Sequence, residues 1–334
     1  MLLPPCHPPE LRVLHIGGYW RGTNDIVRHM MQGLKGTGAS VLELCTDSHP
    51  EILDAEGRRY DRGTSGPVWL RSELMESWLI GFDPQLVVCN AGGLSFRPEI
   101  AEQLRRSRCL LGIALSDPDV YRNTTRRIAA NFDRFLTNAP DLVADYRKLG
   151  VHAEPLDIGT NPDFFRPAAP RPSLKCDVLI LGRAHPDRID PVRSLVARFD
   201  VHVYGEGWED HGIESRGIIS GDDVLAALSS AAMTIVFSRT PAGHSIVKVG
   251  LFDFLAAGAL VVTNRDPVVS SLLTFGQEIV GFDSVDDLLT RVKYYLRHQE
   301  AAERIRQSGR ARVLRDHTWR VIWLRILRSL GGTG

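Results

Sequence analysis

Two arginines five positions apart, Arg183 and Arg188, follow an apolar run that ends in Gly182. The run reads as a strand, and guanidinium groups just past its carboxyl end are placed to grip a phosphate through a planar fork. Downstream, Lys248-Val-Gly-Leu-Phe-Asp-Phe-Leu-Ala-Ala-Gly258 reads as a short helix that carries an acid, Asp253, and stops at Gly258. A buried strand, Ala259 to Thr263, follows. A helix leading into a parallel strand presents polar groups to a cleft at one edge of an α/β sheet, and nucleotide ligands bind in such clefts. Gly243, His244 and Ser245 offer backbone N–H groups near the start of that helix, and Lys248 adds a cation for a phosphate. Gly17 and Gly18, after the first apolar run, let backbone approach a ligand closely. Asp117 ends another strand in Ser116-Asp117-Pro118, and His15 lies inside the first; each is a candidate proton acceptor. Asn90, with Gly92 and Gly93, completes the polar set.

These residues need a scaffold, and the pattern supplies one. Strands are expected at Leu11–Ile16, Ser40–Cys45, Gln85–Cys89, Cys109–Leu115 and Arg134–Thr137, alternating with helices over Thr23–Leu34, Leu74–Ile80, Pro98–Arg105 and Pro140–Leu149. Four prolines then fall within Asn161–Pro172, the composition of a stiff linker. The alternation restarts with strands at Cys176–Leu181, Val201–Tyr204 (closed by Gly205) and Thr234–Phe237. Helices are expected at Pro191–Arg198, Asp222–Ala231 and Val285–Leu296. Strand–helix alternation on both sides of a break implies two doubly wound parallel sheets. Near the end, Trp319, Ile322, Trp323, Ile326, Leu327 and Leu330 recur at helical spacing and form one apolar face, with Arg320, Arg325 and Arg328 off it. That is the pattern of a terminal helix docked on the body of the protein.

With 334 residues the chain suits two domains rather than one core. Lys plus Arg and Asp plus Glu both number 40, so no basic excess points to nucleic acid as a partner. None of the five cysteines stands in a CxxC pair, which fits buried thiols in a reducing compartment and gives no zinc site. The first ten residues lack a signal-peptide pattern, and no uncharged run approaches the ~20 residues of a membrane span, so a cytoplasmic location is expected. No metal-binding acid pair is assigned, and no metal is expected. Nothing in the sequence fixes an oligomeric state.

Several pieces, in order and spacing, resemble a GT-B-fold glycosyltransferase of the CgeB-like (spore-maturation) branch, related to the large retaining family 4. They are Leu14-His-Ile-Gly-Gly18, Ser116-Asp-Pro118, Phe135-Leu-Thr-Asn-Ala-Pro140 and Leu156-Asp-Ile-Gly-Thr-Asn-Pro-Asp-Phe-Phe-Arg-Pro167. Leu181-Gly-Arg183, Val203-Tyr-Gly205 with Trp208, Leu251-Phe-Asp-Phe-Leu-Ala-Ala-Gly258 and His317-Thr-Trp319 complete the set. The resemblance implies an acceptor-binding Rossmann-like domain over 1–168, a nucleotide-sugar domain over 169–315, and a helix, 316–334, packing back on the first. It implies a metal-independent, retaining transfer from a nucleoside-diphosphate sugar (UDP-linked first, GDP- or dTDP-linked otherwise) to an unidentified acceptor, with no further cofactor. Arg183 and Arg188 then stand where the family has an Arg and a Lys on the diphosphate, and Asp253 where a Glu accepts from the ribose hydroxyls. Eight residues before Asp253 the family carries a second Glu near the donor sugar; this chain has Ser245 there. Asp117 would be general base in an inverting reaction, or would orient the substrate in a retaining one, with His15 as a rival base. A sugar-nucleotide epimerase on the same fold and a non-catalytic nucleotide-sugar-binding partner are the alternatives.

Overall fold

A computed structural model describes residues 11–17, 26–45, 53–54, 68–69, 80–90, 109–115, 125–239 and 244–331. The chain divides into two compact units, 1–157 with 319–334, and 158–318. The proline-bearing stretch read as a linker belongs to the second unit, where Phe165 is buried.

Among its described residues the first unit holds a sheet of six parallel strands: β1 (Arg12–Gly17), β2 (Ser40–Cys45), β3 (Leu86–Asn90), β4 (Cys109–Ala114), β5 (Arg134–Thr137) and β6 (Ala153–Pro155). Their order is β2-β1-β3-β4-β5-β6. β3 and β4 are buried at every position, as strands covered on both faces must be. The Ile26–Lys35 helix (α1) starts at Ile26 within the described residues; the expected helices around 74–79 and 98–105 lie outside them.

The terminal apolar face finds its cover in this unit. The Trp319–Leu330 helix buries Trp319, Ile322, Trp323 and Leu330. Trp323 Nε1 donates to Met30 O of α1 at 2.8 Å, and Arg320 Nε donates to Gly36 O at 2.8 Å. The two helices touch so closely that a Cβ on Gly33 would lie 2.3 Å from Trp319 Cβ.

The second unit holds five parallel strands: β7 (Cys176–Leu181), β8 (Val201–Tyr204), β9 (Ala231–Val236), β10 (Val261–Asn264) and β11 (Val280–Phe282). Their order is β8-β7-β9-β10-β11. Between them run helices over Pro186–Val196, Asp222–Ser230, Val249–Ala256 and Pro267–Ser270; Val285–Arg297 and Gln299–Asp316 follow β11. Counting α2 as Val143–Lys148 in the first unit, these six are α3 to α8 in chain order, and the terminal helix is α9. Trp208, Ile180, Val262 and Leu288 are among the residues of its core.

One helix differs from its expected span. α3 begins at Pro186, not Pro191, and carries Pro191 inside it. Pro186 at the first helical position brings its φ already set and lacks only an N–H that would have no helical partner there. Ile189, Val192 and Leu195 then anchor the face in the core, outweighing the hydrogen bond lost at Pro191.

Candidate functional site

In each sheet the chain runs from its first strand to one side and then returns across to the other. In the second unit β7 is therefore flanked by β8 and β9, and the crevice at their carboxyl ends is where an open α/β sheet takes a ligand. Gly182, with φ +126°, lets the chain turn off β7 there. Arg183 comes next. Its guanidinium pairs with Glu206 at 2.5 Å, but both side chains are more than half exposed, so the pair holds weakly and leaves the cation open to exchange.

Arg188 is different. Only 9% of it is exposed. One terminal nitrogen donates to Arg183 O at 2.9 Å, the guanidinium lies 5.7 Å from the Phe237 ring centroid, and Nε has no hydrogen-bond partner. No carboxylate pairs with it among the described residues; burial pushes its pKa down, with Asp187 opposing. A desolvated cation with an unfilled donor is costly unless an anion completes it.

Two helices begin beside this group. α3 starts after His185, and α5 (Val249–Ala256) starts after Lys248, which occupies its N-cap position. Neither cap makes a side-chain capping bond; Pro186 has no N–H, and Arg188 N and Leu251 N donate to the cap carbonyls of His185 and Lys248, which leaves the N–H groups of Asp187, Val249 and Gly250 for an anion. Lys248 and Arg188 both act on the His185 ring, which brings Arg183, His185, Arg188 and Lys248 into one electropositive cluster. His185 and the Phe237 platform were missed in the sequence. A histidine directly before Pro186 at the start of a helix was the available signal.

The loop leading to α5 is described from His244 onward; Gly243 lies outside the described residues. Ser245 forms an antiparallel bridge with Arg239, and its hydroxyl donates to Asp266 Oδ2 at 2.5 Å. Asp266 is buried and also caps α6 (Pro267–Ser270) by accepting from Val268 N. Ser245 thus anchors the loop through its side chain. Ser238, at the end of β9, is fully buried with its hydroxyl unpartnered.

Asp253 lies on α5. It is 7% exposed, and Oδ1 accepts from Thr160 Oγ1 at 2.7 Å. Thr160 in turn forms a parallel bridge with Thr318, and its N–H donates to His317 O at 2.9 Å. His317 is buried and stacks on Phe252 at 4.7 Å, in keeping with a structural part for this histidine. Asp253 therefore fastens residues distant in sequence to α5. Burial raises its pKa well above 3.8, and the Thr160 hydrogen bond only partly opposes this. The folded chain favours the protonated acid, whereas the unfolded chain ionises. Wild-type stability from this group is thus full below the unfolded pKa and is lost as pH rises toward the folded pKa. Asp253→Asn keeps the acceptor for Thr160 and removes the titration. Its stability advantage should be absent near pH ~4 and appear near pH ~7 in denaturant unfolding. Equal gaps at both pH values would mean a carboxylate that is ionised in the folded protein.

In the first unit the corresponding crevice lies at the ends of β1 and β3. A Cβ on Gly17 would meet His15 Nε2 at 3.0 Å and Asn90 Cβ at 3.1 Å, so the absence of a side chain accommodates both. His15 is fully buried, and burial pushes its pKa down to about 4 against the raising effects of Glu43 and Asn90. A histidine so shifted is neutral, and a weak base, near pH ~7. Gly18, Gly92, Gly93 and Asp117 lie outside the described residues. Gly205, at φ +137°, belongs to the second site: it packs on Gly182 so tightly that a Cβ would lie 2.2 Å from Gly182 O.

Among the described residues no group of three or more His, Cys, Asp or Glu could hold a metal ion, and no helix is long and apolar enough to cross a membrane.

Residues 186–328 match the glycosyl transferase-like family model. No curated protein matches the chain. Among solved structures it is similar to a sucrose-phosphate synthase from Thermosynechococcus elongatus, at TM-score 0.66 and 15% identity over 96% of this chain and 98% of that one. It is also similar to HepE of Anabaena in complex with UDP and glucose, at TM-score 0.62 and 9% identity over 96% and 99%. An alpha-glucosyltransferase in complex with UDP-glucose and abasic-site DNA aligns at TM-score 0.67 and 9% identity over 96% and 100%. At such identities the likeness is one of fold, and that fold is GT-B.

Proposed function

We propose that the chain, which has the GT-B fold and whose residues 186–328 match the glycosyl transferase-like family model, is a glycosyltransferase that moves a sugar from a nucleoside-diphosphate donor bound by the second unit. The observation that carries this reading is Arg188, a buried guanidinium with an unpartnered Nε at the β7–β9 crevice. Breaking the bond between the anomeric carbon and the diphosphate leaves negative charge on the departing phosphate. Fixed cations and helix N–H groups aimed at that charge lower the barrier. Arg183, Arg188 and Lys248 supply the cations. Gly182 and Gly205 keep backbone close, and N–H groups from Gly243 to Ser245 add donors. We assign these residues to the diphosphate on that ground, and assign transfer without a metal because the cations do the work an ion would do.

UDP is the first candidate nucleotide, since HepE and the alpha-glucosyltransferase were both solved with UDP or UDP-glucose; GDP and dTDP are tested beside it. The first unit takes the acceptor, with Gly17, Gly18 and Asp117 as its candidate contacts, and the reaction retains anomeric configuration in the cytoplasm. Asp253 is kept as the candidate acceptor for the ribose hydroxyls, with its Oδ1 also held by Thr160.

The direct test is incubation with UDP-, GDP- and dTDP-sugars, reading thermal stabilisation and then sugar release or transfer by NMR. A ligand selective for the folded state raises the melting temperature by mass action. Stabilisation by at least one donor, turnover that survives EDTA, and an unchanged anomeric configuration are the expected results. Tight binding with interconversion of donor stereoisomers would indicate an epimerase. No stabilisation by any donor would remove the proposed site.

A further inference from the structure

His185 stands at the centre of the cluster and has no task in the transfer as described. It occupies the N-cap position of α3 in an extended conformation (φ −138°, ψ 153°) without capping the helix through its side chain. Its carbonyl accepts from Arg188 N at 2.9 Å, which places it one turn before that arginine at the mouth of the crevice. The ring is half-buried, and among the described residues it makes no hydrogen bond.

We infer that His185 is a further ligand of the donor's diphosphate and that it engages the phosphates as an imidazolium, so that the donor binds together with one proton. This rests on the phosphate-site reading above. The geometry supports it in two independent ways. The buried, incompletely bonded guanidinium of Arg188 beside the ring marks where an anion belongs. The beginnings of α3 and α5, of 11 and 8 residues, bracket the same place, and there the N–H groups of Asp187, Val249 and Gly250 have no backbone acceptor among the described residues.

The surroundings of the ring set the direction of the coupling. Burial lowers its pKa, Arg188, Lys248 and Arg183 lower it further, and Asp187 alone opposes them. These groups come from the turn after β7, from α3 and from the start of α5. Without ligand the histidine is therefore neutral near pH ~7. Two phosphate charges entering among three cations offset most of the positive potential, and a neutral ring with no hydrogen bond becomes a charged donor to phosphate oxygen. The proton comes from solvent. Affinity then rises as pH falls through the ligand-bound pKa and levels off below the ligand-free pKa, by about tenfold for each unit between them.

The test uses the full chain with UDP-glucose, GDP-mannose and dTDP-glucose in turn. As diesters they lack the second phosphate ionisation near pH ~6 that would confuse the proton count. Titration calorimetry at one pH, in buffers of differing ionisation enthalpy, measures protons taken up per donor bound. The expected result is net uptake by the wild type, none by His185→Gln, and affinity that falls from pH ~6 to ~8 in the wild type but stays flat in the variant. His185→Lys, permanently charged, should restore affinity without uptake. Because His185 makes no capping bond, these variants keep the helix start, and a thermal melt checks each. A donor that binds with no proton uptake, or with uptake unchanged in His185→Gln, overturns the inference and leaves the phosphate site standing. Failure of all three donors to bind overturns both.

Discussion

Replacing Arg188 by methionine is expected to lower kcat/KM for the sugar donor by roughly 10²–10³-fold, the effect of removing one preorganised donor from a developing oxyanion. The same variant should be at least as stable as the wild type. Arg188 is buried without a carboxylate partner among the described residues, and burial works against its charge. An unbranched apolar side chain of similar reach fills the space against Phe237 and removes the uncompensated cation, which offsets loss of the hydrogen bond to Arg183 O. Gain or neutrality in stability with loss of turnover is the signature of a residue kept for function. Arg188→Lys should fall between the two, since it keeps charge but loses the fork. Arg183→Ala should cost less, because Arg183 is exposed and already shares its charge with Glu206. Urea unfolding and steady-state kinetics on the same samples separate the effects. A methionine variant that is strongly destabilised yet binds donor as tightly as the wild type would make Arg188 a structural residue and remove the proposed phosphate site.

The sequence made the β7 strand, Gly182 and the two arginines legible because they are local: an apolar run, a glycine and a spacing of five lie within thirteen residues. The helix that begins before Arg188 was less so, since Pro191 reads as a start signal in isolation, while the burial of Ile189, Val192 and Leu195 decides otherwise. Asp253 shows the harder limit. Its partner Thr160 lies 93 positions away, and nothing in either neighbourhood declares the pairing. The acid stands where the resemblance places a ribose contact; its burial is a property of the assembled unit. The Gln299–Asp316 helix escaped for an opposite reason. It is strongly polar, buries only Ala302, Ile305, Gly309 and Val313, and so carries little periodic signal. Gly309 is its informative residue, since a Cβ there would lie 2.2 Å from Glu278 O; a glycine inside a charged helix can mark a backbone crossing.

Gly205→Ala should be the most damaging single methyl that can be added near the site. At φ +137° an alanine is strained whatever its neighbours, and here the neighbours are backbone: its Cβ would lie 2.2 Å from Gly182 O, 2.5 Å from Gly182 C and 3.1 Å from Arg183 N. Backbone cannot rotate aside as a side chain can. Relief requires moving Gly182, whose N–H donates to Tyr204 O and whose carbonyl accepts from Trp208 Nε1, each at 2.9 Å. Trp208 is fully buried in the core of this unit. The shift would also displace the Arg183 carbonyl that holds Arg188. A loss of roughly 3–5 kcal/mol in stability is expected, in the range set by core strain and broken buried hydrogen bonds, with donor affinity reduced in whatever remains folded. Gly212→Ala is the matched control. Its φ of +70° is also left-handed, but nothing lies within 4 Å of the added carbon. It should therefore cost only about 1–2 kcal/mol, the penalty of the conformation itself, and leave donor binding intact. Comparable losses in the two variants would mean that conformation alone governs Gly205. The close packing of the β7 and β8 turns would then not be what holds Arg183 and Arg188 in place.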